Sequence, residues 1–445
     1  MRIVIAGAGA VGTHLAKLLS AENQDIILMD ADKEKLNFSK NNLEMMTMTG
    51  SSTSLKDLTE VGIKDTDLFI AVTPDESVNI TSCMLASNMG AKKTFARIDN
   101  YEYLLPKNKE FFEKLGVNSM VYPEMLAAKE IVSAIKRPWI RLWVELCGGA
   151  IILVGVKIRE NASIVNKYLY DLGNDMKKYH IVAIKRNNVT LIPKGSTQIL
   201  PGDVLYFTTK KEDVNEIPSI TGKEVFEVKN IMIMGGSRIA IRTSQYLPDS
   251  MNIKLLESDK DKCQKLLEKV PENVTVYYDD GRNADSLIDE GIKSMDAFIA
   301  VTGNSEANIL ACLAAKRMGV RKTVAEVENM DYISMAENLD IGSIINKKLI
   351  TVGNIYRFLL SADVSNVKSL TFANADVAEI VARPNSKITR KEIKKISLPK
   401  NVTLGGLIRN GNAMMIDGDT IVEPYDHVVV FCLDDAIREA EKLFR

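Results

Sequence analysis

The chain has 445 residues, 46% hydrophobic and 26% charged, the balance of a globular protein and not of a disordered one. Its 57 Lys+Arg against 58 Asp+Glu leave a net charge of −1, so charge gives no reason to expect nucleic acid or an anionic membrane surface as a partner. The longest uncharged apolar run, 147–156, is shorter than the roughly 20 residues of a spanning helix, and the five cysteines are scattered without a CxxC pair, which argues against membrane insertion and a metal site.

Met1-Arg2 leads straight into an apolar run, leaving no room for a signal peptide, so a cytoplasmic chain is expected. Over residues 1–138, apolar runs predict strands at 2–6, 25–30, 43–48, 67–72, 93–98 and 118–122. Amphipathic stretches predict helices at 11–20, 33–40, 54–60, 76–88, 101–115 and 124–136. Such alternation predicts an α/β domain with a doubly wound parallel sheet. Residues 139–222 carry short β-branched runs (Ile151–Ile158, His180–Lys185, Val189–Ile192, Val204–Thr208) with turns at Lys194-Gly195 and Pro201-Gly202-Asp203, which predict a small α+β domain. The paired tryptophans Trp139 and Trp143 are read as packing at the domain junction.

The second half then repeats the first. Ile3–Gly12 (IVIAGAGAVG) returns as Ile231–Ala240 (IMIMGGSRIA), and Phe69–Thr73 (FIAVT) returns unchanged as Phe298–Thr302, with the register between copies drifting by a single residue. A period that steady marks a duplicated unit. Residues 226–362 repeat the first block. Residues 363–445 repeat the second, with turns at Gly418-Asp419 and Pro424-Tyr425-Asp426 before a strand at 428–431. The expected architecture is two doubly wound parallel-sheet, Rossmann-like domains, each followed by a small α+β domain.

Gly7-Ala8-Gly9-Ala10-Val11-Gly12 fits GxGxxG between a strand and a helix. Gly7 permits the tight turn, Gly9 lets a pyrophosphate approach the backbone, and Gly12 lets helix and strand pack. Unpaired amides at the helix N-terminus would hold the phosphates. Asp30, at the end of the second strand, suits the two ribose hydroxyls and repels a 2′-phosphate, so NAD(H) or an adenine nucleotide is favoured over NADP(H). Thr73, Pro74, Glu76, Asn79, Arg97 and Glu124 share an address at strand ends around the same crevice. Taken singly, each is also an ordinary cap or loop residue.

The second loop, Gly235-Gly236-Ser237-Arg238-Ile239-Ala240, keeps the first glycine but places Ser237 and Ala240 at the other two positions. Ser237 crowds the pyrophosphate approach, while Arg238 could offset that by pairing with phosphate. Glu257 stands in for Asp30, Glu326 for Arg97 and Ser305 for Glu76, so the two crevices are not expected to share one ligand preference. Catalytic machinery is sparse: His14, His180 and His427 are isolated, and no nucleophile elbow or P-loop lysine occurs. A hydride-transferring oxidoreductase would have only His180 and His427 to supply its acid/base group.

These stretches resemble the TrkA family of cytosolic regulatory subunits of bacterial potassium uptake systems, with paired RCK domains each followed by a TrkA-C domain. The resemblance is carried by GAGAVG, LMDAD, GIKDTDLFIAVTPDESVN and KTFARI, by GIKSMDAFIAVTGNSEAN in the second half, and by IVAIKRNNVTLIPKGSTQILPGDVLYF and NAMMIDGDTIVEPYDHVVVF in the small domains. It implies NAD(H) and ATP/ADP as ligands, no catalytic turnover, and a homo-oligomer, a tetrameric ring. It also implies docking on a membrane potassium-translocating subunit (TrkH/TrkG-like). Carried over residue by residue, it implies nucleotide contacts at Gly7, Ala8, Gly9, Ala10, Val11, Asp30, Thr73, Pro74 and Arg97. In the second unit it implies Gly235, Gly236, Ser237, Arg238, Ile239, Glu257 and Asp280. The sequence departs from the family's pattern at Ser51, where an aspartate is usual, at Ser237, and at Ile345–Lys348, which replaces Val121–Glu124.

Overall fold

The computed structural model describes residues 1–20, 24–42, 45–172, 178–187, 189–362, 366–370, 375–433 and 436–445. In the first unit β1 (Arg2–Ala6), α1 (Ala10–Ser20), β2 (Asp25–Asp30), α2 (Lys33–Asn42), β3 (Met46–Thr49) and α3 (Leu55–Glu60) form one winding. The second winding is β4 (Leu68–Ala71), α4 (Glu76–Asn88), β5 (Lys93–Arg97), α5 (Pro106–Lys114), β6 (Ser119–Val121) and α6 (Pro123–Lys136). The strands pair in parallel in the order β3-β2-β1-β4-β5-β6, which puts the switch point, and hence a crevice, between β1 and β4. The continuous apolar runs of β1 and β4 are buried on both faces, as a parallel sheet covered on both sides requires. One helical expectation changes: 101–115 is a 3₁₀ turn at Tyr101–Leu104 followed by α5. Pro106 takes the first helical position and holds Leu105 extended, so the helix cannot run back through it.

The first small unit is an antiparallel sheet of β7 (Leu142–Leu146), β8 (Ile151–Lys157), β9 (Tyr179–Arg186), β10 (Val189–Leu191) and β11 (Val204–Lys210), with α7 (Ile217–Thr221) after it. Its order is β10-β9-β11-β8-β7, and the edge strand β7, which includes Trp143, was not foreseen as a strand.

The second nucleotide-type unit repeats the first: β12 (Asn230–Met234), α8 (Arg238–Tyr246), β13 (Asn252–Glu257), α9 (Lys260–Leu267), β14 (Val274–Tyr278), α10 (Ala284–Asp289), β15 (Ala297–Ala300), α11 (Ser305–Arg317), β16 (Lys322–Glu326), α12 (Asp331–Asn338), β17 (Ser343–Ile345) and α13 (Lys347–Ala362). Its sheet order, β14-β13-β12-β15-β16-β17, matches the first. The last unit, β18 (Asn366–Leu370), β19 (Ala375–Val381), β20 (Val402–Arg409), β21 (Asn412–Met414), β22 (His427–Leu433) and α14 (Ile437–Phe444), pairs as β18-β19-β22-β20-β21, strand for strand the order of the first small sheet. In each small sheet an arginine grips a buried aspartate before the last strand: Arg186 with Asp203 and Arg409 with Asp426, both at 2.7 Å.

The halves are joined by exchange. Ala127, Ile131, Val132 and Ile135 of α6 pack into the core of the second sheet beside Ile231, Ile233 and Val324. Reciprocally, Val352 and Ile355 of α13 pack on the first sheet beside Ile3, Ile5 and Ile70, and Phe358 lies 5.2 Å from the ring of Phe95. Each sheet therefore has part of one face covered by the other unit's last helix, and separating the units would expose both cores to water. The small sheets also meet face to face, around Tyr206, Val377, Val429 and Phe431. Across that seam the buried Thr208 hydroxyl donates to the Gly405 carbonyl at 2.6 Å.

Candidate nucleotide-binding crevices

The first crevice is built by the turn from β1 to α1. Gly7 has φ +113°, a left-handed conformation open to glycine, and a Cβ there would sit 3.0 Å from the Thr73 amide. A Cβ on Gly12 would lie 1.9 Å from the Gly7 carbonyl oxygen, so helix and strand approach only because both residues are glycine. Gly9 differs: a Cβ there would meet no atom within 4 Å, and Gly9 and Ala10 are exposed at the mouth. The protein's own packing does not demand glycine at position 9. The amides of Gly9, Ala10 and Val11 sit in the first turn, where no helical partner exists for them. Asp30 ends β2 with Oδ2 accepting from the Ala8 amide at 2.7 Å and Oδ1 from Asp32 at 2.9 Å, which fixes its carboxylate at the edge of the loop.

The strand-end residues divide into scaffold and open groups. Asn79, 1% exposed, is fully engaged: its oxygen accepts from the Thr73 amide (2.9 Å) and hydroxyl (2.7 Å), and its amide nitrogen donates to the carbonyls of Thr73 (3.0 Å) and Arg97 (2.9 Å). It clamps the ends of β4 and β5 together and has nothing left for a ligand. Glu76 accepts from the amides of Asp99 and Asn100, holding the loop after β5. Pro74 is exposed beside Thr73. Among the described residues Arg97 is tied only by a 3.4 Å contact to Asp99, and its buried Nε has no hydrogen-bond partner there, an unsatisfied donor at the end of the fifth strand. Of the residues at the strand ends and the glycine turn, it is therefore Gly9, Asp30 and Arg97 that leave chemistry free for an anionic ligand with a ribose.

The second crevice keeps the scaffold and changes the chemistry. Asn308 makes the same clamp, to Thr302 (3.1, 2.6 and 3.0 Å) and to the Glu326 carbonyl (2.9 Å). Ser305, in place of Glu76, accepts from the amides of Glu328 and Asn329 with its hydroxyl, so a different side chain performs the same task. Glu257 accepts from the Gly236 amide at 2.9 Å as Asp30 does from Ala8. Ser237, however, caps α8, its hydroxyl accepting from the Ala240 amide at 3.3 Å, and so takes an amide that stays open in the first loop. Ile239 is buried in the core. Asp280 is turned towards Arg282 in a bidentate pair, which lowers its carboxyl pKa.

Arg238 does not face its own crevice alone. Its guanidinium reaches the Asp99 carbonyl at 3.2 Å and lies 3.6 Å from the Asp99 carboxylate, linking the second glycine loop to the first unit. Arg242, one turn on, stacks over the Tyr101 ring at 4.2 Å. Glu326 is buried where Arg97 stands in the first unit, and burial pushes its carboxyl up to about 7. Lys347, from the start of α13, lies 3.8 Å from it, 3.5 Å from Glu124 of α6 and 2.7 Å from Glu328. Asp99 and Lys347 were missed in the sequence because neither belongs to the glycine motif; only the side-by-side placement of the two units brings them to the crevices. His180 is half-buried among the small sheets, where desolvation lowers its pKa to about 4, and His427 pairs with Glu379 at 2.9 Å in the last sheet. His14 on α1 is lowered by burial and by Lys17.

With this geometry in place, the comparisons with known proteins fall into line with the repeat. The TrkA-N domain model matches residues 3–123 and 231–347, and the TrkA-C domain model matches 153–221 and 377–445. The chain belongs to the TrkA family. The Trk system potassium uptake protein TrkA of Haemophilus influenzae is 31% identical over all of this chain and 99% of its own length, and the TrkA homolog of Archaeoglobus fulgidus is 31% identical with both chains fully covered. Both TrkA-N matches contain a whole glycine crevice, and both TrkA-C matches lie on a small sheet. The crystal structure of the GsuK RCK domain superposes with a TM-score of 0.62 at 14% identity over 100% of this chain and 94% of that one. The GsuK channel bound to NAD does so with the same score and identity over 100% and 78%. At such identity the TrkA-family chain and GsuK share a fold. Among the described residues no helix is long and apolar enough to cross a membrane, and no cluster of side chains is arranged to hold a metal ion.

Proposed function

We propose that this chain is the nucleotide-sensing regulatory subunit of a potassium uptake system, organised as domains 1–138, 139–222, 226–362 and 363–445. NAD(H) is its ligand at the first crevice, with ATP or ADP as competing occupants. The observation that carries the reading is Gly9, a glycine that the protein's packing does not require, set beside the unsatisfied Nε of Arg97 and the carboxylate of Asp30. A dinucleotide's pyrophosphate would lie on the amides of Gly9, Ala10 and Val11, and its ribose would donate to Asp30. The second crevice, through Ser237, Arg238, Glu257 and Asp280, would take a nucleotide more weakly.

Regulation follows from the exchange of α6 and α13. A ligand shifts an equilibrium only by its differential affinity for the two states. A nucleotide that draws the β1 and β5 ends together moves Asp99, and with it Arg238 and the second unit. Coupling of about 1–3 kcal/mol would change the activity of a partner roughly 5- to 150-fold. The partner is a TrkH/TrkG-like membrane subunit, the chain acts from the cytoplasmic face as a tetrameric ring, and it performs no chemistry on the nucleotide.

Calorimetry with NADH, NADPH, ATP and ADP tests the ligand. Gly9→Val should abolish the tighter NADH phase without loss of fold, while Ser237→Val leaves that phase intact. In cells, a deletion strain should grow poorly at limiting potassium, and Gly9→Val should not restore nucleotide control. Equal NADH and NADPH affinities would sink the ligand assignment; substrate-dependent NADH consumption would replace the subunit with a dehydrogenase.

A further inference from the structure

A cavity of about 320 Å³ lies where three parts of the chain meet: the first small sheet, the C-terminal half of α6, and the stretch from α12 to α13. It lies within the size range of small-molecule sites, and none of its walls comes from either glycine crevice. One side is apolar, formed by Ile140, Leu142 and Trp143 with Ile344 and Leu349 facing them. Tyr206 of β11 also lines the cavity and is only 6% exposed, so its hydroxyl is a hydrogen-bonding group on an otherwise buried wall.

The remaining wall is cationic. Arg141, Lys157 and Lys185 line it, and each is tied across the junction: Arg141 and Lys157 donate to the same oxygen of Asp340 at 2.7 and 2.8 Å, and Lys185 donates to Glu337 at 2.9 Å. Beside them lie two further lysines, Lys322 and Lys223, whose charged forms are disfavoured. Burial and the neighbouring Arg141 and Lys223 bring Lys322 down to about 7, and burial, Arg159 and Arg141 bring Lys223 down to about 8. Of the lining residues themselves, three are cationic (Arg141, Lys157, Lys185) and two acidic (Glu130, Glu337), with Asp340 standing behind them.

We propose that this cavity binds a small amphipathic anion, an apolar ring or chain carrying one anionic head. The body would lie against Trp143 and Ile344. The head would accept from the Tyr206 hydroxyl and compete with Glu337 and Asp340 for Lys185, Lys157 and Arg141. Since those ion pairs join the first small sheet to the second nucleotide-type unit, occupancy would alter how firmly the two are held. The site stands apart from the nucleotide reading and does not depend on it.

The test uses the full chain with NADH present in excess and 8-anilinonaphthalene-1-sulfonate as a fluorescent probe. A single saturable probe site is expected, displaced by 1-naphthoate, while its neutral analogue 1-naphthalenemethanol and inorganic phosphate displace it at least ten-fold less well. Tyr206→Phe, which removes one oxygen atom, should weaken the probe roughly ten-fold. Ala134→Phe, which fills the cavity from α6, should abolish binding. If that variant does not fold, Tyr206→Phe still decides. Probe affinity unchanged in Tyr206→Phe, displacement of the probe by NADH, or equal competition by naphthoate and naphthalenemethanol would each overturn the proposal.

Discussion

At the first crevice Gly9 leaves its side-chain direction empty and Arg97 keeps an unsatisfied donor. At the second, Ser237 folds its hydroxyl onto the Ala240 amide and a buried Glu326 takes the place of the arginine. Around both, the Thr–Asn clamp is superposable bond for bond, and Glu76 and Ser305 hold the same pair of loop amides with different chemistry. The backbone that makes a crevice and the groups that face a ligand are therefore separable. After duplication the first was retained, and the second was free to diverge.

The largest effect is expected where the backbone itself is at stake. Gly12→Ala would push a methyl group to 1.9 Å from the Gly7 carbonyl oxygen. That overlap should cost about 3 kcal/mol of stability and remove nucleotide binding. Its counterpart Ala240→Gly should cost only about 1 kcal/mol, the ordinary penalty of glycine in a helix. Urea unfolding of both variants measures the contrast; equal losses would mean that the two turns are built alike.

Next come the clamps. Asn79→Ala and Asn308→Ala each strand buried partners of a four-bond bracket, and each should lose about 2–3 kcal/mol. If Asn79 met the nucleotide instead, its alanine variant would lower affinity and leave unfolding unchanged, unlike that of Asn308.

Much of this was legible in the chain. Periodicity and the FIAVT repeat give two parallel sheets and two small ones, and the strand-turn-helix setting of Gly7–Gly12 places the first crevice. Asn79 was picked out by its position at a strand end, but sequence alone could not tell a clamp from a contact, because that depends on which carbonyls the amide reaches. The crossing of α6 and α13 was illegible for a different reason. Ile131 and Ile135 mark an apolar face, and nothing in their spacing says that the sheet beneath it belongs to the other half. Asp99 and Lys347 inherit that blindness, as does the reach of Arg238, singled out in the sequence only for a phosphate, to Asp99. Strand β7 went unseen because Trp139–Trp143 reads as a junction, and an edge strand of five residues carries little alternation of its own. The expected strand at 43–48 begins partly outside the described residues; Met46–Thr49 is the part seen.

Ligand chemistry comes third. Asp30→Ala should weaken NADH by roughly 1.5–3 kcal/mol, the range for hydrogen bonds to a charged acceptor, and should narrow the preference for NADH over NADPH. Part of that loss will come from the Ala8 amide that Asp30 now holds at 2.7 Å. Glu257→Ala removes the equivalent brace at Gly236. If the first crevice is the tighter one, calorimetry should find its binding phase undisturbed in the Glu257 variant.

The smallest effect separates Arg97 from Glu326 by pH. Burial raises the Glu326 carboxyl from 4.5 to about 7, against the pull of Lys347, so the folded chain holds this proton more firmly than the unfolded one. The stability that protonated Glu326 contributes is full below pH 4.5 and is lost as pH rises through 7. Glu326→Gln mimics the protonated form permanently. It should leave stability unchanged near pH 4 and add about 1–2 kcal/mol above pH 8, after allowance for the lost attraction to Lys347. Lys347 keeps Glu328 at 2.7 Å and so remains paired. Arg97→Gln leaves the Glu326 carboxyl in place, so its effect on stability should not differ between pH 4 and pH 8. Unfolding curves at the two pH values test both: a gain for Glu326→Gln that is the same at pH 4 and pH 8 would mean that Lys347 neutralises this carboxylate as well as water does, and that the charge reversal between the crevices carries no cost in the fold.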